Sequence, residues 1–135
     1  EVTIGSGFYQ PALFDDYKLF KHEPAAFFGL EVARKPGLGI YTLNGGGYIA
    51  SGSYGRNKLP QPYLPIGMNL EKNEGAGEVQ TPVYYSGELK LGDPVFFRHA
   101  KAGELCERFN TISLIRNGET INDCNTYRGD GYSFL

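Results

Sequence analysis

Nineteen glycines and eight prolines, spread through 135 residues, limit how long any regular element in this chain can be. Glycine loses the most freedom on folding, and proline lacks a backbone donor, so both interrupt helices and ladders. Breaks at this density favour many short strands joined by turns. The β-rich runs between them predict strands near Phe27–Arg34, Ile40–Leu43, Gly47–Ser51, Val79–Tyr85, Pro94–Arg98, Thr111–Ile115 and Glu119–Asp123. Arg116-Asn117-Gly118-Glu119 predicts a hairpin, because Asn-Gly accepts the positive φ of a type I′ turn. Pro36-Gly37 and Gly45-Gly46-Gly47 mark further turns.

Two segments carry helical signals. Leu13, Phe14, Tyr17 and Phe20 recur near helical spacing within Pro11–Lys21, and Ala102–Phe109 has room for about two turns. A short apolar strand is expected at Val2–Ile4. Asn57–Gly77 is rich in Pro and Gly with weak periodicity, which predicts a long ordered loop with Tyr63, Leu64 and Met68 turned inward. The expected fold is mainly β, an antiparallel barrel or sandwich preceded by a separate strand-loop-helix piece.

A composition of 41% hydrophobic and 14% aromatic residues supports a real core. Thirteen basic and fifteen acidic residues, scattered and summing to −2, argue against a general nucleic-acid surface. No stretch approaches the roughly 20 apolar residues of a membrane span. Cys106 and Cys124 lack metal-ligand spacing, and two free thiols suit a reducing cytoplasm; a bridge between them stays open at this level. The chain begins Glu1-Val2-Thr3 without Met, which leads us to expect a piece of a longer polypeptide.

The densest chemistry is Arg98-His99-Ala100-Lys101-Ala102-Gly103-Glu104-Leu105-Cys106-Glu107, which follows a predicted strand. Loops at strand ends present reactive groups. The bland reading is a solvated turn entering a short helix. Three functional readings stand beside it: His99 as acid–base group, His99 as metal ligand, and Lys101 as a fixed cation for a substrate carboxylate. His99 has no Cys or Asp partner at short spacing, so no metal site is assigned. Cys106, in an apolar stripe with Leu105 and Phe109, reads as core rather than nucleophile. Gly5-Ser6-Gly7 between a strand and a helix exposes amides and a hydroxyl in a way that suits a phosphate, with Tyr9 available as a further donor. A plain tight turn explains the same residues. Glu78 and Gln80 alternate to one strand face and are candidate pocket residues or a solvated face. His22 reads as a surface residue near a helix end.

Several blocks together resemble the C-terminal part of the amino acid deaminase/aldolase family, related to D-threonine aldolases and D-serine dehydratases. They are Glu1–Tyr9, Leu13-Phe14-Asp15, Gly45-Gly46-Gly47-Tyr48, Leu59-Pro60, Pro62-Tyr63-Leu64-Pro65, Gly75–Pro82, Arg98–Phe109 and Thr126-Tyr127-Arg128-Gly129, in the family's order. The resemblance implies an alanine racemase type of fold. An N-terminal (β/α)8 barrel would carry pyridoxal 5′-phosphate, and a C-terminal β-domain would complete the site, in a homodimer. Residues 1–22 would then be the last strand and helix of that barrel, and residues 23–135 a D-serine dehydratase-like β-domain. The lysine that forms the Schiff base would lie outside this chain.

The resemblance also implies roles. Gly5, Ser6, Gly7 and Tyr9 match the region where the last barrel strand meets the cofactor. His99 matches a histidine that ligates a divalent metal in the relatives. There the second ligand lies two residues on; here that position is Lys101, an ammonium that does not ligate. Gln80 stands at a histidine of the relatives, beside Glu78. Both departures point away from metal-dependent chemistry. The expected function is a pyridoxal-phosphate-dependent lyase acting on D-3-hydroxy amino acids, by dehydration with deamination or retro-aldol cleavage, with His99 moving a proton and Lys101 supplying charge. An amino acid racemase and a stand-alone β-barrel binding module are the alternatives. On the leading reading, the 135-residue chain alone is expected to be inactive.

Overall fold

The computed structural model describes residues 1–131. Eight strands form: β1 (Phe27–Gly37), β2 (Ile40–Asn44), β3 (Gln61–Leu64), β4 (Asn69–Leu70), β5 (Gln80–Tyr84), β6 (Pro94–Arg98), β7 (Thr111–Arg116) and β8 (Glu119–Asn125). One α-helix, α1 (Ala102–Arg108), joins β6 to β7. Six strands make one sheet in the order β3-β6-β1-β2-β5-β4, with every pairing antiparallel. Its edge strands β3 and β4 approach each other, so the sheet curls into a nearly closed barrel. The pair β7-β8 stands apart as a two-stranded hairpin.

Alternation builds the core. Phe28, Leu30 and Val32 of β1 point inward, as do Val95 and Phe97 of β6. Leu43 of β2 and Val83 of β5 complete the inner face, both fully buried. Phe28 stacks on Phe97 with ring centroids 5.4 Å apart, and Tyr48 meets Phe28 edge-on at 4.8 Å. Burying a side chain such as Phe97 contributes roughly 2–3 kcal/mol.

The mainly β architecture matches the expectation, and six of the seven expected strands form within a few residues of the reading. The seventh, Gly47–Ser51, does not form. Gly46 (φ +112°) lies so close to Thr81 and Leu30 that an added Cβ would collide with both, and the chain leaves the sheet there. The Asn57–Gly77 loop instead contains β3 and β4; of the three residues expected to turn inward only Met68 is buried, while Tyr63 and Leu64 are 37% and 44% exposed. Short edge strands carry little periodicity, which hides them in sequence.

The N-terminal piece also departs from the reading. Val2–Ile4 is not a strand, because no described strand lies beside it to complete a ladder. Pro11–Lys21 is not an α-helix: a 3-10 turn spans Ala12–Asp16 and another spans Gly5–Phe8. The amides of Ala12 and Leu13 donate to the carbonyls of His99 and Ala100, at 3.0 and 3.4 Å. This docking onto the end of β6 takes the place of a longer helix.

Candidate functional site

Strand β6 delivers the candidate residues, and its period of two decides their fates. Val95 and Phe97 point inward, and His99 continues on the same side. It is 1% exposed, and neither ring nitrogen has a hydrogen-bond partner. Its ring meets Tyr9 edge-on, with centroids 6.3 Å apart. Burial drives its pKa down from 6.5 to about 4, and the charge of Arg98 adds to the lowering. His99 is therefore a neutral packing residue in this conformation. It does not line the cleft that Lys101 lines.

Arg98, one residue earlier, anchors the N-terminal segment. Its two terminal nitrogens donate to the two carboxylate oxygens of Asp15, both at 2.8 Å, and Nη2 also donates to the Gln10 carbonyl at 3.2 Å. Arg98 is buried, while the Asp15 side chain is 46% exposed. The guanidinium holds the Asp15 carboxyl below its ordinary value, by hydrogen bonding first and by charge after partial desolvation is set against it. Gln10, buried with φ +48°, is the strained residue that presents its carbonyl to this clamp.

Lys101 is half-buried and stands at the entry of α1. Its Nζ donates to the Ser51 carbonyl at 2.9 Å. Glu104, one turn on, accepts from the Ser51 amide through Oε1 at 3.1 Å. Its second oxygen, Oε2, lies 3.5 Å from Arg108 Nη2 and is buried without a hydrogen-bond donor. Tyr127 donates its hydroxyl to the Gly103 carbonyl at 2.9 Å, closing the far side of the helix. Its phenol is raised above the ordinary value, first by desolvation and then by the charges of Cys106, Glu107 and Glu104.

These groups line one cleft of about 450 Å³, with Ser6, Leu13 and Phe14 as its opposite wall. Ser6 and Lys101, distant in sequence, are thus brought together. Gly5, with φ +54°, followed by helical Ser6, turns successive amides toward one side, and the space at Gly5 is open. The Gly7 and Tyr9 amides are spent on Ile4 and Ser6 carbonyls within the turn. Tyr9 is half-buried, packs against the core and does not line this cleft; the thiol of Cys106 and burial raise its phenol above the ordinary value.

Glu78 and Gln80 do not join this cleft. Glu78 is exposed, and Gln80 accepts a hydrogen bond from Arg34 on the outer face of the sheet. A second cleft, about 320 Å³, lies at the β3–β4 seam against Arg56, Met68 and Lys72 and holds none of the expected residues. Cys106 is buried and Cys124 exposed, and both are free thiols. No described helix is long and apolar enough to cross a membrane. Ser51, Glu104 and Tyr127 were not singled out by sequence as site residues. Glu104 had a signal, being three residues from Lys101 in the first turn of the helix that Lys101 precedes; Ser51 had none, because it lies on a loop some fifty residues away in sequence.

No family model and no curated protein matches the chain. Among solved structures, the fold is similar to D-threonine aldolase from Filomicrobium marinum, with a TM-score of 0.66 and 16% identity. The match covers 83% of this chain and 30% of the aldolase chain, so the present chain spans less than a third of that structure's length.

Proposed function

We propose that this chain is the C-terminal β-domain of a pyridoxal-phosphate-dependent lyase that cleaves or dehydrates D-3-hydroxy amino acids, within a homodimer. The fold likeness to D-threonine aldolase supports the architecture. The observation that carries the functional reading is the meeting of Ser6 and Lys101 on one cleft, from segments 95 positions apart in sequence. Residues 1–22 support a barrel-facing role: Val2, Ile4, Phe8 and Leu19 are 89%, 57%, 70% and 99% exposed, an apolar face that an adjoining domain would cover.

The residues of the turn fit a phosphate. The Ser6 hydroxyl and the open space at Gly5 would hold it, with Gly7 keeping the turn tight: a Cβ there would press on Ile4 at 2.8 Å. When bound, pyridoxal phosphate supplies an electron sink for cleavage at the substrate α-carbon. Lys101 fixes the substrate carboxylate, and its charge opposes the negative charge that develops during reaction. Leu13 and Phe14 form an apolar wall that excludes water from the same space.

The test is made on the intact gene product. Visible absorbance from bound pyridoxal phosphate, bleached by borohydride, together with aldehyde or keto acid release from D-3-hydroxy amino acids, is expected. Lys101→Met should lower kcat/KM at least tenfold, while the 135-residue chain alone releases no product. An intact gene product that binds no pyridoxal phosphate would leave the stand-alone binding module as the reading.

A further inference from the structure

Antiparallel ladders join neighbouring strands around the barrel, and the last joint, between the edge strands β3 and β4, has none. Residues 65–68 connect these two strands directly, yet β3 pairs with β6 and β4 with β5. Pro62 lies in β3 and Pro60 just before it, and neither has an amide to donate, which keeps the seam from zipping shut. A cleft of about 320 Å³ occupies this seam. Small-molecule sites span roughly 300–1,000 Å³, so the cleft suits a small ligand. Its floor is apolar: Pro60 and Met68 are buried, and Leu59, Pro62 and Leu70 are half-buried beside them. Arg56 and Lys72 line it as exposed side chains, and neither has an ion-pair partner among the described residues. Glu71, the one carboxylate of the lining, is turned to its own loop. It accepts from the amides of Asn73 and Glu74 at 2.8 and 2.7 Å, and from Asn73 Nδ2 at 3.2 Å. These bonds, that of Glu74 first, hold its carboxyl below the ordinary value, so it stays ionised at neutral pH. The Gly75 amide closes the same turn on the Glu71 carbonyl at 2.9 Å.

Two cations against one carboxylate leave a single surplus positive charge around an apolar floor. We infer that this cleft binds a small organic monocarboxylate with an apolar body, of the arylalkyl acid class. Its carboxylate meets Arg56 and Lys72, and the guanidinium offers a planar fork that matches two carboxylate oxygens. Its body lies on Met68, whose flexible thioether chain adapts to an aromatic ring, with Leu59 and Leu70 beside it. A neutral apolar molecule gains the floor alone, and an inorganic anion gains the rim alone. A dianion such as a phosphate monoester sets its second charge against Glu71, and an organic cation meets Arg56 and Lys72. The cleft shares no lining residue with the Lys101 cleft, and the inference stands without the lyase reading.

The experiment follows the methyl NMR signal of Met68 in the intact gene product, assigned by its loss in Met68→Leu. Three compounds are titrated: phenylacetate, phenylacetamide, which lacks the charge, and acetate, which lacks the apolar body. A saturable shift with phenylacetate is expected, with Kd of about 1 mM or below. Phenylacetamide and acetate should each bind about fivefold or more weakly, the first for want of the charge pairing and the second for want of the buried ring. Replacing both cations, Arg56→Gln with Lys72→Gln, should bring phenylacetate down to the affinity of its amide. Both side chains are exposed, and an unmoved Met68 signal before titration reports that the double variant is folded. Lys101→Met should leave phenylacetate binding at Met68 unchanged. No shift of the Met68 signal at about 10 mM phenylacetate would overturn the inference. Equal affinity for the acid and its amide, or an unaltered affinity in the double variant, would overturn it too. A shift abolished by Lys101→Met would do the same, since it would move the ligand to the other cleft.

Discussion

In the six-stranded sheet, Val32, Leu43, Val83, Val95 and Phe97 are at most 1% exposed; in residues 1–22, Val2 and Leu19 are nearly as exposed as free side chains. The sheet is held by buried apolar area shared among many neighbours. The N-terminal segment is held at one place, by the Arg98–Asp15 clamp and by two amides on the carbonyls of His99 and Ala100. That place adjoins Lys101. The segment bearing Ser6 is therefore coupled to the β6–α1 turn through these polar contacts and the buried stretch Gln10-Pro11-Ala12, while the barrel beneath supplies the rigid base. A rigid scaffold with a locally anchored wall is the arrangement expected where a site must be completed by another element.

Four outcomes would break or sharpen this contrast, beginning with the largest. Phe97→Ala removes the ring that stacks on Phe28, and should cost about 3–5 kcal/mol in urea denaturation. A loss under 1 kcal/mol would mean that the sheet does not carry the stability assigned to it.

The second concerns acid. His99 is buried neutral, with its pKa lowered from 6.5 to about 4. The unfolded chain takes up a proton that the folded chain refuses, so stability is complete above pH 6.5 and falls as the pH drops toward 4. The loss is roughly 3 kcal/mol across that window. His99→Leu should flatten the profile between these limits, and an unchanged slope in that variant would show that other groups set it.

The third is local. Asp15→Asn should lower stability by about 1 kcal/mol at neutral pH, because the pair is part exposed and screened. Its contribution is present above the ordinary carboxylate range and is lost as the pH falls through the lowered value of Asp15. Hydrogen exchange should quicken at the Ala12 and Leu13 amides and leave the Val83 and Val95 amides unchanged. Equal quickening in the sheet would mean that clamp and barrel unfold as one unit.

The smallest effect lies in the β7-β8 hairpin. Asn117 and Gly118 both have positive φ, 54° and 81°. Gly118→Val should cost roughly 1 kcal/mol and perturb the NMR shifts of Thr111–Asn125 alone. Spread of the change into β1 or β6 would show that the Ile112 contact with the core couples the hairpin to the barrel as one unit.

Strands were legible where alternation was strong, as in Phe28, Leu30 and Val32, and where a turn had one chemical solution, as at Asn117-Gly118. Strands β3 and β4 were not, because four and two residues hold too little pattern. Gly47–Ser51 misled for the opposite reason: residues suited to a strand follow a glycine whose contacts with Thr81 and Leu30 turn the chain away. Within the site, Lys101 and Ser6 were named from residue chemistry alone and both reached the cleft. The same chemistry named His99 and Tyr9; His99 is buried, Tyr9 is half-buried, and neither lines that cleft.

The sequence by itself determined the β class, the Asn-Gly hairpin and the residue types able to carry charge at a strand end. These depend on backbone preference and side-chain periodicity, which act over a few neighbours. Only the tertiary structure decided that His99 faces inward, that Ser51 stands between Lys101 and Glu104, and that Asp15 finds Arg98 across 83 positions. Such pairings depend on which distant segments the closing sheet brings together, and on whether water or protein then surrounds each polar group.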